Sequence, residues 1–200
     1  FPPFSFRGIE QCHRLDRLDI PKATCLRDLR GVEHCEHLRS LTIRDQYYAR
    51  KEPLDISVLS GMSCLKKISI FRKILTNTEG FDLSQCKSLE ELEICPNTED
   101  LEFLRGTQLV KLIIDWSSVK SLKGLDSSRL RFFRAMSTKI KSLRLLRDAP
   151  LIRIDIRFTK VRSLEGLDLR KLVELKAQGT TMRYSDIIDQ APKLQRCDLP

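Results

Sequence analysis

The chain has 200 residues, of which 41% are hydrophobic and 32% charged, and it carries a formal net charge of +9. These values fit one folded domain with a continuous core and exclude a disordered tail. Charged residues interrupt every apolar stretch after a few positions, so no segment reaches the roughly 20 residues of a membrane-spanning helix, and no membrane partner is expected. The first residues, 1–6, lack the features of a signal peptide, which favours an interior or processed boundary.

The cysteines indicate a reducing environment. There are seven of them, an odd number that fits poorly with a fully paired disulfide framework. Cys12, Cys35 and Cys86 each stand three residues before a leucine that starts a predicted strand, so we expect one column of buried thiols. This pattern favours an intracellular, cytoplasmic location.

A repeating pattern runs along the chain: an apolar residue, two variable residues, an apolar residue, one variable residue and a further apolar residue. Nine such units occur, 20 to 27 residues apart, and their first residues are Leu15, Leu38, Leu65, Leu89, Leu109, Leu130, Leu151, Leu172 and Leu194. The last two apolar positions of a unit are two residues apart and therefore face the same side of a strand. Each unit thus predicts one half-buried strand.

The segments that return the chain between strands have apolar residues about every three positions, as in Ile140, Leu143 and Leu146. This spacing favours 3₁₀ turns over long helices and predicts a thin outer side. Eight residues after the first leucine, a polar side chain recurs that can bond to nearby backbone. The residues at this place are Asn97, Ser117, Thr138, Thr159 and Thr180, with Thr24 one place later.

The chain resembles the leucine-rich-repeat family along essentially its whole length, nearest the class with 21 to 22 residues per repeat that includes bacterial internalins and phosphatase-regulating proteins. Its Cys-x-x-Leu-x-x-Leu-x-Ile units are also similar to divergent repeats of protist proteins. The resemblance implies an α/β solenoid of about nine repeats, with a curved parallel sheet on the concave face and 3₁₀, helical or extended segments on the convex face. Residues 1–200 would form one domain, with 1–14 as a flank or cap and 15–200 as repeats. It further implies a scaffold that binds a protein without catalysis, although one fold hosts many functions.

Three places depart from the pattern. The second unit carries an insertion over 44–53, which is either a functional lip with Tyr47 and Tyr48 as contacts or a tolerated loop. The third has a smaller insertion near 76–78. At the two ends, Phe1, Phe4, Phe6 and Ile9 are expected to cover the first strand, whereas nothing after the ninth strand covers that end, so a larger chain or complex is expected.

No catalytic motif is recognisable, and no cofactor or metal is expected. The grouping of His34, Cys35 and His37, with Cys12 and His13 one repeat earlier, contains metal-capable atoms. However, Cys35 belongs to the expected buried column and its neighbours should point outward, so zinc is disfavoured against solvated histidines.

Charge is distributed unevenly along the chain. Residues 79–102 hold eight acidic residues and one lysine, whereas residues 105–171 hold 17 Lys and Arg and six acidic residues. The alternative to a protein partner is therefore a basic subunit of a ribonucleoprotein or another nucleic-acid assembly. The basic residues fall on strand, rim and back positions alike, which favours a protein partner with an acidic or mixed surface.

The predicted binding site lies on the concave face of the fifth to seventh repeats. Residues that alternate with buried strand positions must face outward there, and two aromatic residues follow at strand ends. Apolar groups would supply desolvation, and arginines would offer bidentate bonds to the partner's carboxylates. The predicted contact residues are Lys111, Ile113, Asp115, Trp116, Phe132, Arg134, Met136, Arg153, Asp155, Arg157 and Phe158.

Overall fold

The computed structural model describes residues 6, 8–21, 23, 26–44, 53–71, 75–76, 80–182, 187 and 189–199. Within them, nine strands form one parallel sheet in chain order, one from each repeat. These are β1 (Arg17–Ile20), β2 (Ser40–Arg44), β4 (Lys67–Phe71), β6 (Glu91–Glu93), β7 (Lys111–Ile113), β8 (Phe132–Arg134), β9 (Arg153–Asp155), β10 (Glu174–Lys176) and β11 (Arg196–Asp198). The predicted solenoid is confirmed.

The core is a stack of identical positions from successive repeats. In the fifth repeat Leu109, Leu112 and Ile114 have no exposed surface. Leu112 aligns with Leu92 of β6 and Phe133 of β8, so each strand covers the apolar residues of its neighbours. A single repeat could not bury these side chains alone, which makes the stack one cooperative core.

Short 3₁₀ helices form part of the return side, as the three-residue spacing predicts. They span Ile9–Gln11, Val32–His34, Ser57–Gly61, Glu102–Leu104 and Arg144–Leu146. Other return segments are turns or extended backbone. With no long helix in the described residues, most of each return segment lies close against the core.

The two longer repeats contain a feature that the spacing does not predict. Strands β3 (Leu54–Asp55) and β5 (Leu75–Thr76) pair in a second, two-stranded parallel sheet. Leu54 and Leu75 are buried, so the pairing adds to the core. A two-residue strand has no periodic signal, and the added residues of these repeats give the return segments length enough to pair.

The polar ladder forms at three threonines. The side-chain hydroxyl groups of Thr138, Thr159 and Thr180 donate to backbone carbonyl groups three residues earlier, at 2.9, 2.7 and 2.8 Å. All three residues are buried, so the bond satisfies a hydroxyl that would otherwise be costly inside the protein. Ser117 occupies the same place, and its Oγ has no hydrogen-bond partner among the described residues.

The expected thiol column holds at two of its three positions. Cys35 and Cys86 are buried, but Cys12 is exposed, so the prediction is wrong there. The Cys35 thiol contacts the carbonyl of Ile9 at 3.6 Å, in the turn that covers it. Cys12 lies in the outermost described turn, where no described residue covers it.

The two ends differ in how their cores are covered. At the first, Phe6 is buried and Ile9 packs against the core, while Phe1 and Phe4 lie outside the described residues. At the other end, β11 joins the sheet but Cys197, its inward residue, is exposed. No described residue packs over that strand.

Candidate functional site

The open face of the sheet, which the sequence predicts to be concave, is built from the residues that alternate with the core. The register of β7, β8 and β9 aligns its side chains in rows. Lys111, Phe132 and Arg153 form the first row, and Ile113, Arg134 and Asp155 form the second. The sequence therefore predicted correctly which residues lie side by side.

The pairing continues beyond the strands and aligns a third row. The amide of Trp116 donates to the carbonyl of Met136 at 2.9 Å, and the amide of Ser137 donates to the carbonyl of Arg157 at 2.9 Å. Asp115, Met136 and Arg157 consequently lie next to one another. Nine of the eleven predicted contact residues thus form three rows of three on one surface, which we call the face patch.

Phe132 lies in the middle of the first row of the face patch, between Lys111 and Arg153. The guanidinium carbon of Arg153 is 5.3 Å from the centre of the Phe132 ring, a cation–π distance. Ile113, in the second row, and Met136, in the third, are half-buried like Phe132. Each row of the face patch thus contains one apolar side chain, and Arg153 lies over the one in the first row.

Two other arginines are paired within the chain. The guanidinium of Arg134 contacts Asp115 at 2.5 Å and approaches Asp155 at 3.9 Å. Arg157 makes a bidentate contact with Asp155, at 2.9 and 2.7 Å, and this hydrogen bonding raises the pKa of Arg157. Bidentate bonds from these arginines to a partner, which the sequence predicts, would therefore have to replace carboxylates that neighbouring rows supply, and that expectation stays a prediction.

Two carboxyl groups of the face patch and its border are held in low-dielectric positions. Burial raises the pKa of Asp115, against the opposing effect of the Arg134 charge. Burial also raises the pKa of Glu93, on β6, whose carboxylate accepts a hydrogen bond from the Ser69 hydroxyl at 2.9 Å. Both groups would favour a neighbouring cation or a donated hydrogen bond.

Charges at the edges of the face patch are also paired within the chain. Glu91 contacts Lys67 at 3.1 Å and Lys111 at 3.7 Å. On the other edge, Glu174 contacts Arg153 at 3.4 Å and Lys176 at 3.0 Å. The face patch is thus bordered on both edges by mutually compensated ions.

The remaining two predicted residues, Trp116 and Phe158, lie just past the ends of β7 and β9. Their side chains are 65% and 54% exposed. Both have left-handed backbones, with φ of 58° and 57°, and so does Ser137 between them, with φ of 55°. A non-glycine residue in this conformation costs about 1 kcal/mol, so the same unfavourable turn is imposed on three successive repeats.

Sequence reasoning missed Phe71, at the end of β4, which is 47% exposed. It is the sixth residue after Leu65, as Asp115 is the sixth after Leu109, so its position relative to the repeat was available as a signal. Tyr47, Tyr48 and residues 77–79 lie outside the described residues. The structure therefore does not describe the predicted lip.

Neither a metal-binding cluster nor a membrane-spanning helix occurs in the described residues. They contain no group of three or more His, Cys, Asp and Glu side chains placed to hold a metal ion. His34 and His37 are exposed on either side of buried Cys35. No helix in this part of the chain has the length and apolar character to cross a membrane.

Comparisons with known proteins identify the fold. No protein-family model matches the chain, and a sequence comparison with characterised proteins finds no match. Among solved structures, an internalin C2 from Listeria monocytogenes superposes with a TM-score of 0.75 at 15% identity, over 92% of this chain and 80% of the other.

Two further solved structures have the same architecture. The internalin inlF from the same species gives a TM-score of 0.70 at 16% identity, over 87% of this chain and 51% of that one. A leucine-rich-repeat protein from Leptospira interrogans gives 0.60 at 15% identity, over 98% and 57%. The chain therefore spans little more than half the length of these two neighbours. At such low identity the likeness concerns architecture alone, and on that basis this chain has the leucine-rich-repeat fold.

Proposed function

We propose that this chain is a non-catalytic interaction module that holds a protein partner on the open face of β7, β8 and β9. The observation that carries the proposal is the arrangement around Phe132. Its ring lies under Arg153, each row of the face patch contains one apolar side chain, and the neighbouring charges are paired within the chain. Interface centres that dominate binding energy combine aromatic residues and arginine within a ring that excludes water. The internalin-like fold supports the same class of function.

The charge pairing adjusts the partner's expected chemistry. Arg134 and Arg157 already contact Asp115 and Asp155, so bringing a partner's carboxylate to them would require exchange of existing ion pairs. Such exchanges contribute to specificity more than to affinity. The partner's central contact should therefore be apolar or aromatic, with an acidic or mixed border that faces Lys111 and Arg153.

The proposed setting is the cytoplasm. Its support is that Cys35 and Cys86 lie as free thiols in the core. Glutathione and thioredoxin keep thiols of this kind reduced in the cytoplasm.

The test compares affinity purifications with matched variants. The immobilised chain, its Phe132→Ala variant and a Leu145→Ala variant are exposed to native lysate treated with nuclease, and the bound proteins are identified by mass spectrometry. Leu145 is the control because it is a large apolar residue, 55% exposed, on the return side. We expect a partner bound by the wild type and Leu145→Ala, and lost by at least tenfold with Phe132→Ala. Equal recovery with all three would contradict the proposal.

A further inference from the structure

A second surface runs along the edge where the chain leaves β7, β8 and β9. Five exposed cations lie there on three successive turns: Lys120, Lys139, Lys141, Lys160 and Arg162. Backbone bonds hold the turns in register, since the amide of Lys139 donates to Val119 at 3.0 Å and the amide of Lys160 donates to Ile140 at 3.1 Å. We call these five residues the basic rim.

The basic rim differs from the face patch in charge compensation. Lys120 pairs with Glu99, on the turn before it. Among the described residues, none of the other four cations makes an ion pair. Residues 137–147 contain four Lys and Arg and no acidic residue. Four of the five rim cations therefore have no ion-pair partner among the described residues, although Glu99 also attracts Lys139 through space, whereas the arginines of the face patch have carboxylate partners.

Two aromatic rings stand at the same edge. Phe158 precedes Lys160 by two residues, and Trp116 precedes Lys120 by four. They lie two strands apart, about 10 Å, with the small Ser137 between them. One side of the Phe158 ring lies against Gly179, and more than half of the side chain remains exposed. Each ring can thus offer a flat surface beside the cations.

A nucleic acid and an acidic protein segment are the two classes of polyanion that could bind the basic rim, and the composition of the rim distinguishes between them. Four of the five cations are lysines, which are depleted at protein interfaces, where arginine is preferred. Lysine is a compact, hydrated point charge that suits a phosphate oxygen, and an exposed ring beside a charged stripe is the stacking element of proteins that bind single strands. We infer that the basic rim binds the phosphates of single-stranded nucleic acid while Trp116 and Phe158 stack on its bases. The site spans three turns and reads no base edge, so the bound strand is short and binding is independent of its sequence.

This inference does not depend on the protein partner proposed above. Phe132 and Arg153 belong to the face patch alone, and Lys139 and Lys160 belong to the rim alone. Trp116 and Phe158 stand at the border of the two surfaces. Substitutions at the first pair and at the second pair therefore test the two proposals separately.

The first measurement is the fluorescence anisotropy of a labelled 12-nucleotide oligouridine. Four phosphate contacts, one for each rim cation without an ion-pair partner, give a slope of about −2.8 in log affinity against log salt, which is roughly a fiftyfold loss between about 50 and 200 mM. Lys139→Glu with Lys160→Glu should weaken binding at least about tenfold, because two contacts become repulsive.

The control is Arg129→Glu with Lys171→Glu, which changes the net charge equally. Both residues are exposed and precede strands β8 and β10, at the opposite edge of the sheet. Binding by this control should stay much closer to the wild type. Equal losses in the two double variants would mean that net charge alone attracts the oligonucleotide, and the proposed site would be wrong.

The second measurement uses Trp116, the single tryptophan of the chain, as the probe. A base stacked on its ring should quench its emission, and Phe158→Ala should weaken oligouridine binding about tenfold. Inorganic polyphosphate can contact the lysines but cannot stack, so it should not quench. If polyglutamate binds as tightly as oligouridine, with the same dependence on Lys139 and Lys160, the rim binds an acidic protein segment and the inference is overturned.

Discussion

The ring of Phe158 lies against Gly179, the residue at the equivalent position of the next repeat. A Cβ atom placed on Gly179 would collide with Cδ1 of Phe158. Both residues have positive φ, 57° and 73°. The column thus runs Trp116, Ser137, Phe158 and Gly179, alternating large and small side chains, and the absent side chain of Gly179 makes the space for the ring.

Gly179→Ala should therefore destabilise the chain for two reasons. The left-handed backbone costs about 1 kcal/mol for an alanine, and the displaced Phe158 ring adds to that cost. In a Phe158→Ala background, where no ring has to move, the same substitution should cost only the backbone contribution. Urea unfolding of the four proteins of this double-mutant cycle measures the difference as a coupling energy. A coupling of zero would mean that the two residues do not interact in solution.

Gly124 and Gly166 occupy equivalent positions two repeats apart but have different surroundings. Both have positive φ, 95° and 85°. A Cβ on Gly124 would lie 2.5 Å from the carbonyl oxygen of Leu101 and 2.6 Å from the amide nitrogen of Glu102, whereas a Cβ on Gly166 would meet nothing within 4 Å. The return segment of the fourth repeat therefore lies directly against Gly124, whereas the space beside Gly166 is open.

Gly124→Ala should destabilise the chain by more than about 3 kcal/mol, because backbone atoms must move, which places it among the largest single-residue effects. Gly166→Ala has the same conformational cost without the collision and should lose about 1 kcal/mol. The two free energies of unfolding are compared by urea titration. If both variants lose the same free energy of unfolding, the backbone around Leu101 and Glu102 can move away from Gly124 at no energetic cost, and the prediction is wrong.

The physical origin of each feature decides how much the sequence could predict. Leu109, Leu112 and Ile114 recur with fixed spacing, so the strands, their order and the outward residues could be predicted. The ion pairs of Arg134 and Arg157 could not be predicted, because the repeat pattern places Asp115 and Asp155 on the open face without indicating whether they pair with arginines or remain in solvent. The β3–β5 pairing depends on two residues per strand, and the left-handed backbone at Trp116 and Phe158 violates the local preference of both residues.

The thiols should differ in reactivity according to burial. Burial raises the pKa of Cys86 to about 11, and its thiol contacts the carbonyl groups of Leu59 and Met62 at 3.4 Å. At about pH 8 only about one Cys86 in a thousand would be a thiolate, which is the reactive form. A disulfide reagent at that pH should modify exposed Cys12 within minutes and leave Cys86 unmodified until urea unfolds the chain. Peptide mass spectrometry measures each site, and equal labelling of the two would contradict the burial of Cys86.

Glu93 should make the stability of the chain depend on pH. Burial is the largest cause of its raised pKa, and the Ser69 hydroxyl, Lys111 and Arg134 oppose it while Asp115 reinforces it. A carboxyl group whose pKa is higher in the folded chain than in the unfolded chain binds protons more readily when folded. Its ionised form therefore destabilises the fold at neutral pH, and the penalty disappears as the pH falls through the raised pKa.

Glu93→Gln removes this titration and can keep a hydrogen bond to the Ser69 hydroxyl. The variant should be more stable than the wild type at pH 7, and its advantage should shrink as the pH falls towards 4, because the wild-type carboxyl then becomes neutral as well. Glu91→Gln, two residues earlier on the same strand, is the matched control. It removes a carboxylate that pairs with Lys67 and Lys111, so it should not raise the melting temperature at pH 7. Melting curves of the three proteins at several pH values test the prediction. If Glu93→Gln lowers stability at neutral pH, the attraction of Glu93 to Arg134 and Lys111 outweighs the cost of its burial, and the prediction is wrong.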